Sequence, residues 1–473
     1  MDAAFTEISN TVVSFPDVEI SEALIRRFDS SGPRYTSYPT ADRFSTEFNH
    51  TEYQQYLASR AAASSNPPLS VYVHLPFCES LCYFCACNKI ITQDHSRSAE
   101  YLRYLTLEMG LLACHLETDR VTEQLHLGGG TPTFLNHAEL TQLMDSLRSH
   151  FNFTPDAELG VEIDPRTVNS HTSSMLAGLG FNRTSFGVQD FDPAVQAAVN
   201  RIQPLDMVER ALSDSRAAGF QSVNIDLIYG LPKQTISSFD RTLDQVIRLS
   251  PDRIALYNYA HLPSRFKAQR LIVAADLPTA EERLQIFLMS TRRLLEAGYV
   301  YIGLDHFAKP DDELNLARLD SSLHRNFQGY TTRADCDLIG LGVSAIGKVG
   351  ASYSQSVRSL NAYYQYLDQG QLPIEKGYHL SEDDLLRRQV IMTLMCSMPL
   401  DYKAINQQHH IDFNQYFARE LELLQPYREA GLMVSHDNGM TITPKGRLFV
   451  RGIGMVFDRY LGQPTVSTYS KLI

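Results

Sequence analysis

Three cysteines with a distinctive spacing are the residues of this sequence most able to do chemistry. Cys78, Cys82 and Cys85 follow the pattern C-x3-C-x2-C. A structural zinc site usually has four protein ligands, whereas each iron of a [4Fe–4S] cluster also needs one outside ligand. Three thiolates therefore leave one iron of such a cluster open to a small molecule. The spacing favours a [4Fe–4S] cluster, and a zinc site completed by a distant histidine is the alternative.

A fourth cysteine, Cys87, lies two residues beyond this group. Its thiol is poorly placed to bind the same iron, so Cys87 is a candidate hydrogen donor or proton relay. The alternative is a small side chain that only packs. The chain has seven cysteines, an odd number, and four of them are clustered, which indicates a metal site in a reducing compartment rather than a disulfide framework. The remaining three are predicted to be buried apolar residues: Cys114, Cys336 and Cys396.

Length and charge limit the possible classes of protein. The chain has 473 residues, of which 44% are hydrophobic, enough for a large core and more than one domain. Its net charge of −12 disfavours nucleic-acid binding. Met1–Ile20 lacks the basic and apolar regions of a signal peptide, and no stretch approaches the roughly 18 apolar residues of a membrane span. We therefore expect a cytoplasmic protein with no nucleic-acid partner and no membrane span.

Short β-rich runs alternate with helix-like stretches through the middle of the chain. Strand–helix units in series predict parallel strands joined by crossover helices, and so an α/β fold. A partial or complete (β/α) barrel fits this count, and an open doubly wound sheet is the alternative. Functional residues are expected at the carboxyl ends of the strands. The six runs are Ser70–Leu75, Gln124–Leu127, Leu159–Ile163, Arg183–Val188, Val223–Tyr229 and Ile254–Tyr259.

Chemically suggestive residues follow these runs. The glycine turn Gly128–Gly130 permits close backbone approach to a ligand. Glu162 and Asp226 are able to accept hydrogen bonds from an ammonium group or ribose hydroxyls, although each alone could equally cap a helix or pair with an arginine. Because six strand ends converge, we expect one site. Four histidines are predicted to line it or to sit in the core rather than to bind metal: His74, His126, His261 and His306.

Composition changes along the chain predict three units. The small residues and prolines of Ala61–Pro68 mark the first boundary, and the preceding segment is predicted to be irregular. The helix Ser381–Met395, with Ser381 as N-cap, and the hairpin around Asp437-Asn438-Gly439 indicate a mostly helical, winged-helix-like unit, ended by a helix over Pro444–Tyr460. A packing role for it is favoured over DNA binding. The units are an N-terminal extension covering the barrel mouth (1–65), the barrel domain (66–370) and the C-terminal domain (371–473).

With these residues in place, the chain resembles the radical S-adenosylmethionine (SAM) superfamily, whose signature is C-x3-C-x2-C after the first barrel strand. Within it, the chain is similar to the oxygen-independent coproporphyrinogen III oxidases. The segment Ser31–Ala41 and the extension through Cys87 narrow the choice, whereas Ala86 and Leu127 depart from the usual Gly and Trp. The supporting segments are SGPRYTSYPTA, YVHLPFCESLCYFCACNK, GGGTPT, VEIDPR, GVQDF, NIDLIYGLPKQT, YNYAHLP, DHFAKPDDEL and HRNFQGYTT.

The resemblance implies a partial (β/α)6-type radical SAM barrel with one [4Fe–4S] cluster and two SAM molecules. Cys78, Cys82 and Cys85 match the cluster ligands, and the amino and carboxylate groups of one SAM would complete the open iron. The positions that match the surroundings of the first SAM are Tyr72, Gly129, Glu162 and Ile346. Those that match the surroundings of the second are Phe84, Gly130, Thr131, Gln189, Arg201, Asp226 and Ala260.

The resemblance also implies an oxidoreductase of haem biosynthesis. A 5′-deoxyadenosyl radical would remove hydrogen from the β-carbons of two propionates of coproporphyrinogen III, and loss of CO2 and an electron would leave the vinyl groups of protoporphyrinogen IX. An unidentified low-potential electron donor, an electron acceptor and a monomeric state are expected. Since the substrate carries four carboxylates, local arginines must contact it. Arg34 is the first candidate, and Arg325, Arg387 and Arg388 are weaker ones.

Three other functions remain open at this point. A haem-binding chaperone could use the same scaffold, although Cys87 and Ser31–Ala41 argue against it. A radical methyltransferase or a haem-opening enzyme would yield methylated or ring-opened products. A zinc-stabilised scaffold protein would contain zinc and no iron.

Overall fold

The structure, a computed structural model, describes residues 12–15, 18–28, 31–333 and 336–461 of the chain. The prediction that the first 65 residues are irregular is wrong, because they contain a 13-residue helix. Asn49 begins this helix: its side chain accepts a hydrogen bond from the backbone N–H of Thr51, and Glu52 completes a capping box. The elements of this part are β1 (Val12–Phe15), β2 (Val18–Ser21), α1 (Glu22–Phe28) and α2 (His50–Ala62).

The central part alternates strands and helices as predicted. Its elements are β3 (Leu69–Leu75), β4 (Phe77–Cys78), β5 (Ile90–Ile91), α3 (Ser96–Leu116), β6 (Val121–Gly129), α4 (His137–His150), β7 (Asn152–Ile163), α5 (Ser170–Gly178), β8 (Arg183–Gln189), α6 (Pro193–Ala198), α7 (Leu205–Ala217), β9 (Ser222–Tyr229), α8 (Ile236–Leu249), β10 (Arg253–Asn258) and α9 (Ala280–Glu296). Strands β3, β6, β7, β8, β9 and β10 lie side by side in this order, and each pairs in parallel with the next. Each predicted run overlaps one of these strands, so the parallel α/β prediction is confirmed.

Further strands widen the sheet at both edges. The elements are β11 (Val300–Gly303), β12 (His306–Ala308), α10 (Glu313–Leu319), β13 (His324–Asn326), β14 (Gly329–Thr331), β15 (Asp337–Leu341), β16 (Ile346–Val349), β17 (Ser352–Ser356), α11 (Leu360–Asp368) and β18 (Ile374–His379). β15 pairs in parallel with β3, and β16, β17 and β18 follow it in antiparallel order. The edge strands of the 12-stranded sheet, β11 and β18, do not pair with each other within the described residues, which fits a partial barrel.

Burial alternates along the strands and indicates which side chains face the barrel interior. In β8, Phe186 and Val188 are buried, while Gly187 and Gln189 on the opposite face are only half-buried. Because successive side chains of a strand point to opposite faces, the apolar half of β8 packs under the helices. The polar half is left to line a cavity.

The C-terminal part is mostly helical. Ser381 is the N-cap of its first helix and forms a capping box with Asp384, as predicted. The predicted hairpin is also present, but the predicted helix over Pro444–Tyr460 is too long. A short 3₁₀ helix and a six-residue α-helix stand there, because three glycines in this run weaken helix formation. The elements are α12 (Glu382–Met395), β19 (Leu400–Asp401), α13 (Tyr402–His409), α14 (Phe413–Tyr416), α15 (Ala418–Leu423), α16 (Gln425–Glu429), β20 (Met433–His436), β21 (Gly439–Ile442) and α17 (Val450–Met455).

No helix in the described ranges combines the length and the apolar character needed to cross a membrane.

Candidate active site

A cavity of about 470 Å³ lies at the carboxyl ends of the parallel strands. Residues from the loop after β3 meet residues from the ends of β6, β7, β8 and β9 there. The structure thus brings together most of the residues that the sequence singled out. The predicted residues that line the cavity are Cys78, Cys82, Phe84, Cys85, Cys87, Gly129, Gly130, Thr131, Glu162, Gln189, Arg201 and Asp226.

Three predicted residues are not among those that line this cavity. Tyr72 lies in β3, and its hydroxyl is 3.1 Å from Nδ1 of His74. Ile346 lies in β16, where it packs against an apolar cluster with Phe44 and Tyr353. Ala260 is exposed just after β10. Their contacts with a cofactor stay predictions.

Two separate segments, Val199–Asn200 and the one around Gln269, hold the backbone of the cysteine loop. The N–H of Tyr83 donates to the carbonyl of Val199 at 3.0 Å. The side-chain amide of Asn200 donates to the carbonyl of Leu81 at 2.8 Å, and that of Gln269 donates to Phe84 at 3.0 Å. Because these contacts fix the loop from outside, the cysteines are positioned by the barrel as well as by their own turn.

The sulfur of Cys82 accepts hydrogen bonds from two arginines. Nη1 of Arg201 lies 3.3 Å away and Nη2 of Arg166 lies 3.6 Å away. Asp164 binds both guanidinium groups, at 3.0 Å from Arg201 and 2.6 Å from Arg166. Burial alone would raise the pKa of Asp164, but the two arginines hold it below its usual range. The result is an ion triad that donates to a cysteine sulfur.

The sulfur of Cys78 has a different environment. Burial raises the pKa of this thiol to about 11, although the Thr131 hydroxyl donates to the sulfur at 3.4 Å and opposes the shift. A metal ligand must be a thiolate, so a bound metal has to supply the charge that keeps Cys78 deprotonated.

Cys85 and Cys87 interact with each other. A hydrogen bond between their thiols lowers the pKa of Cys85 and raises that of Cys87 well above its ordinary value. The positive charge of Lys89 also lowers the pKa of Cys85, and its ammonium group donates to the carbonyl of Cys85 at 3.0 Å. Cys85 therefore forms a thiolate more readily than Cys87, and the roles of both residues stay predictions.

The donor set suits a cluster better than a single ion. Within the described ranges, no three His, Cys, Asp or Glu side chains meet closely enough to bind one metal ion. A [4Fe–4S] cluster does not need such convergence, because each thiolate binds a different iron. Three thiols around one cavity, with hydrogen-bond donors on the sulfurs, fit that group.

Two carboxylates of the cavity wall, Glu162 and Asp226, differ in their pKa. Glu162 accepts hydrogen bonds from the backbone N–H of Gly129 at 3.1 Å and from Nε2 of His126 at 3.2 Å. Burial would raise its pKa, but these contacts hold the pKa below the usual value. For Asp226, burial and the charge of Glu162 raise the pKa to about 6. Glu162 is thus ionised at neutral pH and suited to an ammonium group.

Two glycines allow the turn after β6 to touch its neighbours. Gly129 has a φ of +109°, which favours glycine, and a Cβ there would lie 2.5 Å from the ring of His74. A Cβ on Gly130 would lie 2.7 Å from backbone atoms of Pro76 and Phe77, just before the first cysteine. Only glycine permits this approach to the cysteine loop.

One predicted histidine lies in the core, and three residues near the site have contacts that the sequence did not indicate. His74 lies in the core, with Nε2 2.8 Å from the carbonyl of Asn88, as the core interpretation expected. Sequence reasoning noted Asp164 and Arg166 at a strand end but gave them no role. It also missed His126 as the partner of Glu162. The available signal was position at a strand end, which does not say which side chains pair.

The four candidate arginines occupy different places. Arg34 forms an ion pair with Asp305 and stacks 5.6 Å from the ring centre of Tyr257, a residue of the cavity wall. Arg387 pairs at 2.9 Å with Asp383 and at 2.8 Å with Glu420, so it belongs to the C-terminal part and not to the cavity. A second, smaller cavity is lined by Arg325 and Arg388.

Comparisons with known proteins agree with this geometry. Residues 72–246 match the model of the radical SAM superfamily, and residues 380–449 match the HemN C-terminal domain. The oxygen-independent coproporphyrinogen III oxidase of Pseudomonas aeruginosa is 50% identical over 452 residues, covering 95% of this chain and 98% of that protein. The chain belongs to the family of oxygen-independent coproporphyrinogen III oxidases.

Other members of this oxidase family extend the match. The oxygen-independent coproporphyrinogen III oxidase of Escherichia coli is 46% identical and covers 98% of this chain and all of that protein (100%). A solved structure of coproporphyrinogen III oxidase (HemN) from Escherichia coli, described as a radical SAM enzyme, superposes with a TM-score of 0.88 and 47% identity. It covers 93% of this chain and 98% of that chain. The fold prediction is confirmed, and membership of the radical SAM family implies a [4Fe–4S] cluster and SAM.

Proposed function

We propose that this protein converts coproporphyrinogen III into protoporphyrinogen IX without oxygen, by oxidative decarboxylation of two propionate side chains to vinyl groups. The observation that carries the proposal is that the cysteine loop, the glycine turn and the two carboxylates meet in one cavity of a chain from this family. Haem biosynthesis is the matching role. The cytoplasm is the proposed location and a monomer the proposed state.

The proposed contacts are the ligands of the cluster and the surroundings of two SAM molecules. Cys78, Cys82 and Cys85 would hold the cluster, and SAM would complete the open iron. When bound, the reduced cluster and SAM would together supply a 5′-deoxyadenosyl radical able to take hydrogen from the β-carbon of a propionate. Two SAM molecules are proposed. The first would lie near Tyr72, Gly129, Glu162 and Ile346, and the second near Phe84, Gly130, Thr131, Gln189, Arg201, Asp226 and Ala260.

The protein's own groups have distinct tasks in this scheme. Ionised Glu162 is suited to accept hydrogen bonds from the amino group of SAM. The paired arginines beside Cys82 donate hydrogen bonds to its sulfur and orient it, and such bonds to a ligand atom tune the metal centre that the ligand would hold. Cys87 would act after radical formation, as a hydrogen or proton donor. Arg34 is a proposed substrate contact at the mouth of the cavity.

The remaining proposals concern organisation and partners. We propose that the chain has three units, with residues 1–65, 66–370 and 371–473, and that the first unit covers the barrel mouth. The last strand of the sheet, β18, lies at the start of the third unit. Interactions of the first unit with the third support this arrangement, since Tyr35 donates to Asp458 at 2.8 Å. A low-potential electron donor and an electron acceptor are required, and neither is identified by chemistry on this chain.

An anaerobic assay tests the function. The reconstituted holoenzyme is mixed with SAM, a low-potential reductant and coproporphyrinogen III, and we expect two CO2 and one protoporphyrinogen IX per substrate. Cys82→Ala should abolish both the cluster absorbance and turnover. Full turnover by Cys82→Ala would refute the cluster assignment. Stoichiometric haem binding without conversion would point to the chaperone, and a colourless zinc protein to the scaffold.

A further inference from the structure

A small basic cavity lies beside the β13–β14 hairpin. It has a volume of about 50 Å³ and is lined by four cationic side chains: Arg325, Arg333, Lys348 and Arg388. None of the described residues that line it is an Asp or a Glu. In a chain with a net charge of −12, this is a local concentration of positive charge suited to an anion.

Arg325 has no acidic partner among the described residues, whereas Arg333 and Lys348 each have one. Arg333 binds Asp156 at 3.0 Å, and Nζ of Lys348 lies 3.8 Å from Asp337. Nε and Nη1 of Arg325 are buried and have no hydrogen-bond partner in the described part of the chain. Its guanidinium instead lies 4.9 Å from the ring centre of Tyr330.

A buried guanidinium without a partner is costly, because charge is removed from water without compensation. A carboxylate would satisfy two of its N–H groups at once, since the fork of arginine matches the two oxygens of a carboxylate. The volume of the cavity is several times that needed for one water molecule, so a carboxylate fits there but a macrocycle does not.

The basic cavity and the active site have a third cavity between them. The basic cavity shares the lining residues Asn326 and Thr331 with this cavity of about 180 Å³. The middle cavity in turn shares Glu162, Asp226 and Tyr257 with the active-site cavity. This series of neighbouring cavities is the proposed route of a substrate side arm to Arg325.

The middle cavity adds a second polar group without a partner. Nδ1 of His306 is buried and has no hydrogen-bond partner among the described residues. Burial, together with the charges of Arg325 and Arg34, lowers the pKa of His306 to about 3, so its ring is neutral at neutral pH. The ring can therefore accept or donate one hydrogen bond on this route without repelling Arg325.

We infer that Arg325 binds a propionate carboxylate of the substrate, and that this contact anchors the tetrapyrrole by one arm below the SAM site. The inference rests on the proposed function, because it takes the substrate to be a tetracarboxylate. It also reverses the order expected from sequence. Arg34 already has Asp305 as an acidic partner, whereas Arg325 has none among the described residues.

Ligand binding tests the inference independently of turnover. The anaerobic holoenzyme is titrated with coproporphyrin III, a fluorescent analogue with the same four propionates, and with its uncharged tetramethyl ester. Arg325→Gln should weaken coproporphyrin III binding about tenfold or more, the value of one charge-assisted contact. Arg325→Lys should restore part of the affinity. Arg210→Gln is the control, since it removes an exposed cation that pairs with Asp206 outside these cavities, and it should leave the affinity unchanged.

Two results would overturn the inference. Arg325→Gln could bind coproporphyrin III as tightly as the unaltered protein, or it could lose affinity for the tetramethyl ester by the same factor, which would mean lost packing rather than a lost charge contact. Unchanged cluster absorbance and unchanged SAM cleavage without substrate would show that the variant is folded. Failure of the unaltered protein to make protoporphyrinogen IX would instead count against the proposed function.

Discussion

Asp164 is the acid that compensates both arginines beside Cys82, so Asp164→Asn tests the logic of the cluster surroundings. The side chains of Asp164 and Arg201 are each only 9% exposed. Asparagine keeps an oxygen for the backbone N–H of Arg166, which now donates to Asp164 at 3.0 Å. The substitution therefore removes the charge and replaces the oxygen that accepts from both guanidinium groups by an NH2 group, which can only donate.

The expected loss of stability follows from the uncompensated cations. Breaking a buried ion pair by removing one partner costs about 3–5 kcal/mol. For a chain of 473 residues the entropy of unfolding is about 1 kcal/mol/K, so the melting temperature should fall by about 3–5 °C. With two unpaired guanidinium groups beside Cys82, the reduction potential of the cluster should also move in the positive direction.

Differential scanning calorimetry of the anaerobic holoenzyme measures the first effect and a redox titration followed by electron paramagnetic resonance measures the second. Asp156→Asn is the matched control, because Asp156 also pairs with an arginine but its side chain is 73% exposed. We expect no measurable change in its melting temperature. If Asp164→Asn melts within 1 °C of the unaltered protein, Asp164 does not compensate the arginines, and the ion triad has no structural importance.

The dependence on pH gives a further check on the same variant. The folded-state pKa of Asp164 lies below its unfolded value of about 3.9, so the stabilisation is present above that pH and is lost as the pH falls through the folded pKa. The difference in melting temperature between Asp164→Asn and the unaltered protein should therefore be constant near neutrality. It should shrink below about pH 4. A difference that grows in acid would contradict the assignment.

Two further predictions concern the glycine turn and the extra cysteine. Gly130→Ala should displace the cysteine loop, since its Cβ would lie 2.7 Å from backbone atoms. Cluster occupancy and turnover should therefore fall. Gly110→Ala is the control, because the nearest neighbour of its Cβ would be 3.9 Å away, and it should change neither quantity. Iron content and product formation measure both, and normal cluster loading in Gly130→Ala would refute the close approach. Cys87→Ser should still cleave SAM but lower protoporphyrinogen formation by about 10²-fold or more, as expected for loss of a proton or hydrogen donor. Unchanged turnover would mean that Cys87 only packs against its neighbours.

Much of the fold could be predicted from the sequence because period and turn chemistry are local signals. The parallel strands have buried β-rich runs, and the capping box at Ser381 is visible in the printed letters. Helix α2 was missed in a segment with many turn formers, although Asn49 and Glu52 carry its capping signature. The helix after Pro444 was overestimated, because Gly446 packs so closely on the backbone of Leu432 that a longer regular helix is not formed there.

The site was predictable in its residue types but not in its pairings. Spacing alone identified the three cysteines, and strand ends located Glu162 and Asp226. Which arginine serves a ligand and which serves an acid depends on contacts between residues far apart in the chain. Arg34 and Asp305 are separated by 271 residues, yet they form an ion pair. No sequence pattern of one chain reveals such a partner.

The distribution of paired and unpaired cations explains how an acidic protein can handle a polyanionic substrate. At the cluster end, Asp164 offsets one of the two positive charges of Arg166 and Arg201. Glu162, in the same cavity, adds a further negative charge that repels substrate carboxylates. Arg325 has two buried nitrogen atoms without a hydrogen-bond partner among the described residues. If Arg325 binds a propionate as inferred, a tetracarboxylate would be held by that arm, and a propionate that is not needed for anchoring would stay within reach of the radical. This orientation requires the charges at both ends. The Asp164→Asn variant should consequently bind coproporphyrin III with less selectivity for this orientation. The Arg325→Gln variant should bind it more weakly.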